Sequence, residues 1–212
     1  MTQRIWRPRK VVRELCARDA RLARLVEVAG WPAIPQQPST LETIAQAIAF
    51  QQLAGPAANA IWSRVVALFG DGGLEPRAVL RKRDATYRKA GLSAPKTRSI
   101  KDLARHIVDG RLVPEALHTM DNEAVMATLT QVKGIGPWSA QMHLMFSLKR
   151  PDVWPVLDLG VRKGWAVFTG SKTEPTAREL EPLGEPYRPY RSILAWYMWR
   201  IHDVEVATPA GS

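Results

Sequence analysis

The chain has 212 residues, enough for one large domain or two small ones with a substantial core. Its 46% hydrophobic content argues against disorder, and a formal net charge of +10 makes a polyanion the first partner to consider. A single cysteine, Cys16, excludes an internal disulfide, a four-cysteine iron–sulfur cluster and a cysteine-rich zinc site. The histidines form no HxxxH pair, so no catalytic transition metal is expected. No apolar run reaches membrane-spanning length and the N-terminus lacks an apolar signal core, which makes a soluble, cytoplasmic protein the expectation.

Apolar residues recur at helical spacing almost throughout, and Gly and Pro mark the breaks. One helix is predicted over Lys10–Ala29, with Val11, Leu15, Leu22, Leu25 and Val28 on its apolar face and Gly30 at its end. Ser39-Thr40-Leu41-Glu42 has the form of a capping box opening a helix through Ile44, Ile48 and Phe50. Gln51 and Gln52 interrupt that apolar run and read equally well as a solvated helix end. Gly55-Pro56 starts a helix carrying Ile61, Trp62, Val65 and Phe69, stopped at Gly70–Gly73. Short pieces follow around Arg77–Arg83 and Ala85–Lys89, then a helix over Lys96–Asp109. Asp121 caps a helix over Asn122–Gln131. Leu159–Phe168 and Arg191–Val204 are helical in pattern, and the stretch between them, Thr169–Tyr190, reads as turns. No period-2 strand and no internal repeat stands out. Basic residues crowd at Arg4–Arg24, at Arg81–Lys101 and on either side of Asp158.

The most informative stretch is Leu129–Lys163. A helix breaks at Gly134-Ile135-Gly136 and restarts at Pro137, a residue suited to a first helical position. The result is a helix–hairpin–helix whose backbone N–H groups, at a helix N-terminus, suit a phosphate. A loop with Pro151 and Pro155 leads to a lone acidic residue, Asp158, at the start of the next helix. Its position also suits a plain helix N-cap.

The longer string, Val132-x-Gly134-Ile135-Gly136-Pro137-Trp138-Ser139-Ala140 followed by Asp152-Val153-x-Pro155-x-x-Asp158-x-Gly160, resembles the helix–hairpin–helix DNA glycosylases. Within them it is similar to the 3-methyladenine DNA glycosylase II, or alkylation-repair, branch. The resemblance covers roughly Thr40 to His202 and includes Gln51-Gln52-Leu53, Gly91–Lys96, and Tyr187–Ser192 with Trp199. It implies an all-α, two-lobed fold with the active site in the cleft between lobes. One compact unit over residues 1–212 is expected, with one lobe of about 1–38 and 165–212 and a central lobe of about 39–164.

The resemblance makes Asp158 the catalytic carboxylate. Breaking an N-glycosidic bond builds positive charge on the deoxyribose, which a nearby anion stabilises while it orients or deprotonates the attacking water. In the bifunctional relatives a lysine two residues after the second hairpin glycine forms a Schiff base; that position is Trp138 here, and an indole is no amine nucleophile. A monofunctional enzyme that leaves an abasic site follows, with Lys133 as the remaining alternative amine. Trp138 and Trp199 match pocket aromatics suited to a flipped cationic base, though each also suits a core. Met142 stands where a close relative has tyrosine, so the pocket differs in shape.

Gln52 matches the intercalating wedge, with Gln51 beside it; Ala54 replaces the usual serine two residues on. The hairpin would bind phosphate through the amides of the Gly134–Gly136 region, Ile135 included, with Lys133 contacting phosphate or solvent. The carbonyls of Thr130, Val132 and Ile135 would hold a structural sodium or potassium ion. Lys96, Arg162 and Lys163 are further candidates for phosphate contact. No catalytic cofactor is implied. The expected substrate is duplex DNA containing 3-methyladenine or 7-methylguanine, acted on by a monomer without membrane attachment. Two readings compete: a non-catalytic damaged-DNA-binding module, and a glycosylase for a different lesion. A helix-turn-helix regulator would explain the charge but neither the hairpin nor Asp158.

Overall fold

The computed structural model describes residues 8–34 and 37–207, with side chains from 9 to 34 and 37 to 201. Arg4, at the head of the first basic cluster, and the side chain of His202, at the end of the resemblance, lie outside them. Among the described residues all regular structure is helical, and no helix is long and apolar enough to cross a membrane. The α-helices are α1 (Pro8–Arg18), α2 (Arg21–Ala29), α3 (Leu41–Phe50), α4 (Gly55–Ala67), α5 (Pro76–Arg81) and α6 (Asp84–Lys89). They continue as α7 (Ala94–Val108), α8 (Asn122–Thr130), α9 (Pro137–Phe146), α10 (Leu159–Thr169), α11 (Ala177–Leu183) and α12 (Arg191–Ala207).

The chain divides into two compact units. One runs to Leu148 and holds α3 to α9; the other joins α1 and α2 to everything from Lys149 onward. The second boundary therefore falls at Lys149, not near residue 165. The reason is local to the unit it joins. Gly164 brings α10 so close to α12 that a Cβ there would overlap the Met198 carbonyl. The loop before α10 is also pinned to the first turn of α12. Arg191 grips Asp152 with two hydrogen bonds, of 2.7 and 3.0 Å, and the Ser192 hydroxyl links the Arg150 carbonyl to the Val153 amide. Edge-to-face contacts of Trp165 with Trp154, Phe168 and Tyr187 fill the interior of this unit.

In the other unit α7 is the central support. Its fully buried Ile100 and Leu103, worth about 2 kcal/mol each against exposure, face α3 and α5. Ser93 caps α7 by accepting from the Lys96 amide, and Asp121 caps α8 by accepting from the Ala124 amide at 2.7 Å.

Four sequence expectations shift. The helix over Lys10–Ala29 is two helices, because the Asp19 carboxylate captures the Arg21 amide (3.0 Å) and so competes with the backbone ladder. Tyr187, distant in sequence, donates to the same carboxylate at 2.7 Å. On the apolar face Val12 is buried and Val28 is half exposed. The cap of α3 is Thr40, paired reciprocally with Thr43, not the Ser39/Glu42 box. Ser39 is buried and donates instead to the Pro114 carbonyl at 2.7 Å. The turn-rich stretch contains α11, opened by a Thr176/Glu179 capping box that the sequence carries in plain form.

Candidate active site and nucleic-acid interface

The hairpin lies between α8 and α9. Gly134 holds φ +82°, a left-handed conformation that costs any residue with a Cβ about 1–2 kcal/mol. Gly136 is the N-cap of α9, and Pro137 occupies its first turn. The turn is closed by Val132 N–H donating to Leu129 O and Ile135 N–H to Val132 O. Its side chains divide: Val132 and Ile135 are buried anchors, while Lys133 is exposed. Two residues of α7 that the sequence did not single out brace it from below. The buried Asp102 carboxylate accepts from the Lys133 amide at 2.9 Å, and Ser99 sits directly under Gly134. Their only trace in the sequence is polarity on the apolar face of an amphipathic helix.

The Gln51–Gln52 turn is tied to the hairpin. Gln51 Nε2 donates to Gly134 O at 2.9 Å and to Ser139 Oγ at 3.2 Å, so its amide braces the hairpin and does not form a solvated helix end. Gln52 is exposed with φ +56°, an uncommon state for a residue with a long side chain. The Lys96 ammonium donates to Ala49 O (2.8 Å) and Gln51 O (2.6 Å), capping the C-terminal end of α3, and burial pushes its pKa down. Lys96 thus holds the turn that presents Gln52, with two of its donors on backbone carbonyls.

Trp138 is exposed on the first turn of α9. Met142, one turn further on, lines a cavity of about 270 Å3 between α3 and α9, with Gln46, Phe50, Ser139, His143 and Phe146. Burial, aided by the charge of His118, lowers the His143 pKa to about 4, so the imidazole is neutral at physiological pH. Because the Ser39 hydroxyl donates to Pro114, its oxygen accepts from His143 Nε2 at 3.0 Å, which assigns the proton to that nitrogen.

In the other unit, Asp158 is the N-cap of α10. Its Oδ1 accepts from the Val161 amide at 2.9 Å and from the indole Nε1–H of Trp199, on α12, at 2.8 Å. The N-cap and site readings of Asp158 are therefore compatible. Two donors thus converge on one carboxylate oxygen, and the N-terminal end of α10 adds a positive field beside it. Arg162 follows one turn later, with an Nε buried without a hydrogen-bond partner among the described residues; Lys163 is half-buried beside it. The structure thus assembles the hairpin with Gln51 and Lys96, and Asp158 with Trp199.

Among the described residues the regular structure is all helical, a glycine hairpin opens α9 and Asp158 caps α10, which fits the helix–hairpin–helix class that the sequence resembles. The chain belongs to the HhH-GPD superfamily of base excision DNA repair proteins, whose profile matches residues 45–189. The DNA-3-methyladenine glycosylase 1 of Schizosaccharomyces pombe is 36% identical over 162 residues, covering 75% of this chain and 71% of the relative. The DNA-3-methyladenine glycosylase of Saccharomyces cerevisiae is 31% identical, over 78% of this chain and 69% of its own. Among solved structures, the Schizosaccharomyces pombe 3-methyladenine DNA glycosylase in complex with abasic DNA superposes with a TM-score of 0.81 at 31% identity, covering 94% of this chain and 100% of that one. The DNA-3-methyladenine glycosidase of Bacillus halodurans gives 0.84 at 32% identity, covering 96% and 92%.

Proposed function

We propose that this protein is a monofunctional DNA glycosylase that hydrolyses the N-glycosidic bond of alkylated purines, 3-methyladenine and 7-methylguanine first among them, in duplex DNA. The observation that carries the reading is Asp158: a carboxylate fixed by a helix N-terminus and an indole N–H, in a family of base excision proteins. Alkylation at N3 or N7 gives the purine a positive charge, so its bond to C1′ is weak before the enzyme acts. As that bond breaks, the electron pair stays with the base, which leaves neutral, and the positive charge passes to the sugar. Asp158 stabilises that charge. Water attacks C1′, and its proton passes to the Asp158 carboxylate and then to solvent. An abasic site remains.

The amides of Gly134 and Gly136 and the α9 N-terminus bind phosphate, and Gln52 fills the space left by the flipped base. The Met142 cavity, with apolar walls and a neutral His143, admits a cationic purine without charge repulsion. The carbonyls of Thr130, Val132 and Ile135 lie along the two successive turns that join α8 to α9 and are hard oxygen donors of the type a sodium or potassium ion takes; such an ion would add positive potential beside the phosphate. Trp138, at the position of the lyase lysine, removes the amine route.

The test is release of free base from methylated duplex DNA by wild type and Asp158→Asn, with the product probed for strand breaks. Release by wild type alone, on unbroken abasic strands, is the expected result. Strand nicking by wild type would refute the monofunctional reading and implicate Lys133. Tight binding without release would favour a damage-binding module.

A further inference from the structure

Trp199 matches an aromatic expected to stack on the flipped base, yet its polar edge is engaged elsewhere. Its Nε1–H donates to Asp158 Oδ1 at 2.8 Å, the same oxygen that receives the Val161 amide. This contact requires the indole to lie across the first turn of α10, where space is scarce. A Cβ on Gly160 would stand 2.8 Å from Trp199 Cδ1, 3.2 Å from its Nε1 and 3.1 Å from Asp158 Oδ1. One turn on, Gly164 lets the α12 backbone approach until a Cβ would overlap the Met198 carbonyl, the residue just before Trp199. Gly160 and Gly164 lie at i and i+4, on one face of α10. That face admits α12 and its indole together.

We propose that Trp199 is a positioning residue for Asp158, and that Gly160 and Gly164 are the pair of small residues that lets its indole reach the carboxylate. The inference rests on the glycosylase reading of Asp158. A carboxylate held at one oxygen by two donors in different directions loses its freedom to rotate about χ2. Its charge is then directed in advance, and no reorganisation is required as the sugar becomes cationic. Trp199 so acts through Asp158, whereas a stacking platform would act through the base.

The two roles separate in single-turnover kinetics on 7-methylguanine duplex. Trp199→Phe keeps an aromatic ring, smaller than the indole, and removes the donor. The maximal rate at saturating enzyme should fall about tenfold or more, the size of a hydrogen bond to a charged group, with the half-saturating concentration unchanged. Gly160→Ala, which leaves every donor and ring in the chain but displaces the indole, should lower the same rate. The double variant should lose no more than the worse single one, because both break one contact. If Trp199→Phe fails to fold by thermal unfolding, Gly160→Ala carries the rate measurement. A wild-type maximal rate in the folded variants, a loss confined to half-saturation, or additive losses would overturn the inference. Asp158→Asn with wild-type activity would instead overturn the reading beneath it.

Discussion

Replacing Gly134 by alanine tests how the hairpin is built. The residue has φ +82°, and a Cβ would strike the Ser99 hydroxyl and lie 3.1 Å from Ser99 Cβ. The backbone contribution is about 1–2 kcal/mol, the cost of left-handed φ in a residue with a Cβ. Moving Ser99 also breaks its hydrogen bond to the Pro95 carbonyl, 3.1 Å long, for about 1 kcal/mol more. Gly134→Ala should therefore lower stability in urea by about 2–3 kcal/mol. Affinity for duplex DNA, measured by fluorescence anisotropy, should weaken about tenfold or more as the hairpin amides lose their alignment. In a Ser99→Ala background that hydroxyl and its hydrogen bond are already gone, so Gly134→Ala should there cost only the backbone part, about 1–2 kcal/mol. If Gly134→Ala matches wild type in stability and binding, or if it costs as much in the Ser99→Ala background as in wild type, the close packing of hairpin on α7 does not govern the site.

Lys96→Met removes two donors from the end of α3 and should slow base excision while leaving the salt dependence of DNA binding unchanged; a phosphate contact would instead reduce that slope by about one. Gln52→Gly relieves a φ of +56°, so it should leave stability unchanged or raise it by at most about 1 kcal/mol while turnover falls; equal loss of both would mean the side chain is structural. His143 has a folded pKa of about 4 against about 6.5 unfolded, so the unfolded chain binds the proton first as pH falls. The stabilising contribution is complete above about pH 6.5 and is lost progressively down to about pH 4, amounting to about 3 kcal/mol at most. Urea titrations at pH 7 and 4.5 should show a smaller difference for His143→Gln than for wild type, and an equal one would place the pH dependence elsewhere. Asp19, held near a pKa of 2 by Arg21 and Tyr187, loses its contribution only below about 3.8 and stays out of that window.

Much of the hairpin and of Asp158 was legible because both are local. Gly134, Gly136 and Pro137 specify their own backbone, and an aspartate before an apolar helical run specifies a cap whether or not it also does chemistry. The same locality made the Thr176/Glu179 box readable in principle, though the surrounding prolines and glycines masked it. Ser39, Asp102 and Ser99 were not legible as supports, since a polar residue among apolar neighbours has no partner until a distant segment packs against it. The charge of Lys96 is visible in the sequence, whereas the Ala49 and Gln51 carbonyls that receive it are not.

By itself the sequence determined the all-helical class, the hairpin, the candidate carboxylate and the expectation of a polyanionic partner, all set by short-range backbone preference and charge. Tertiary structure alone decided which elements share a unit, that Tyr187 joins Arg21 on the Asp19 carboxylate, and how Gln51 and Lys96 hold the turn before α4. It also decided that Trp199 reaches Asp158 across forty-one positions of chain, over two glycines. These are contacts between residues distant in sequence, fixed by packing that local preferences do not encode.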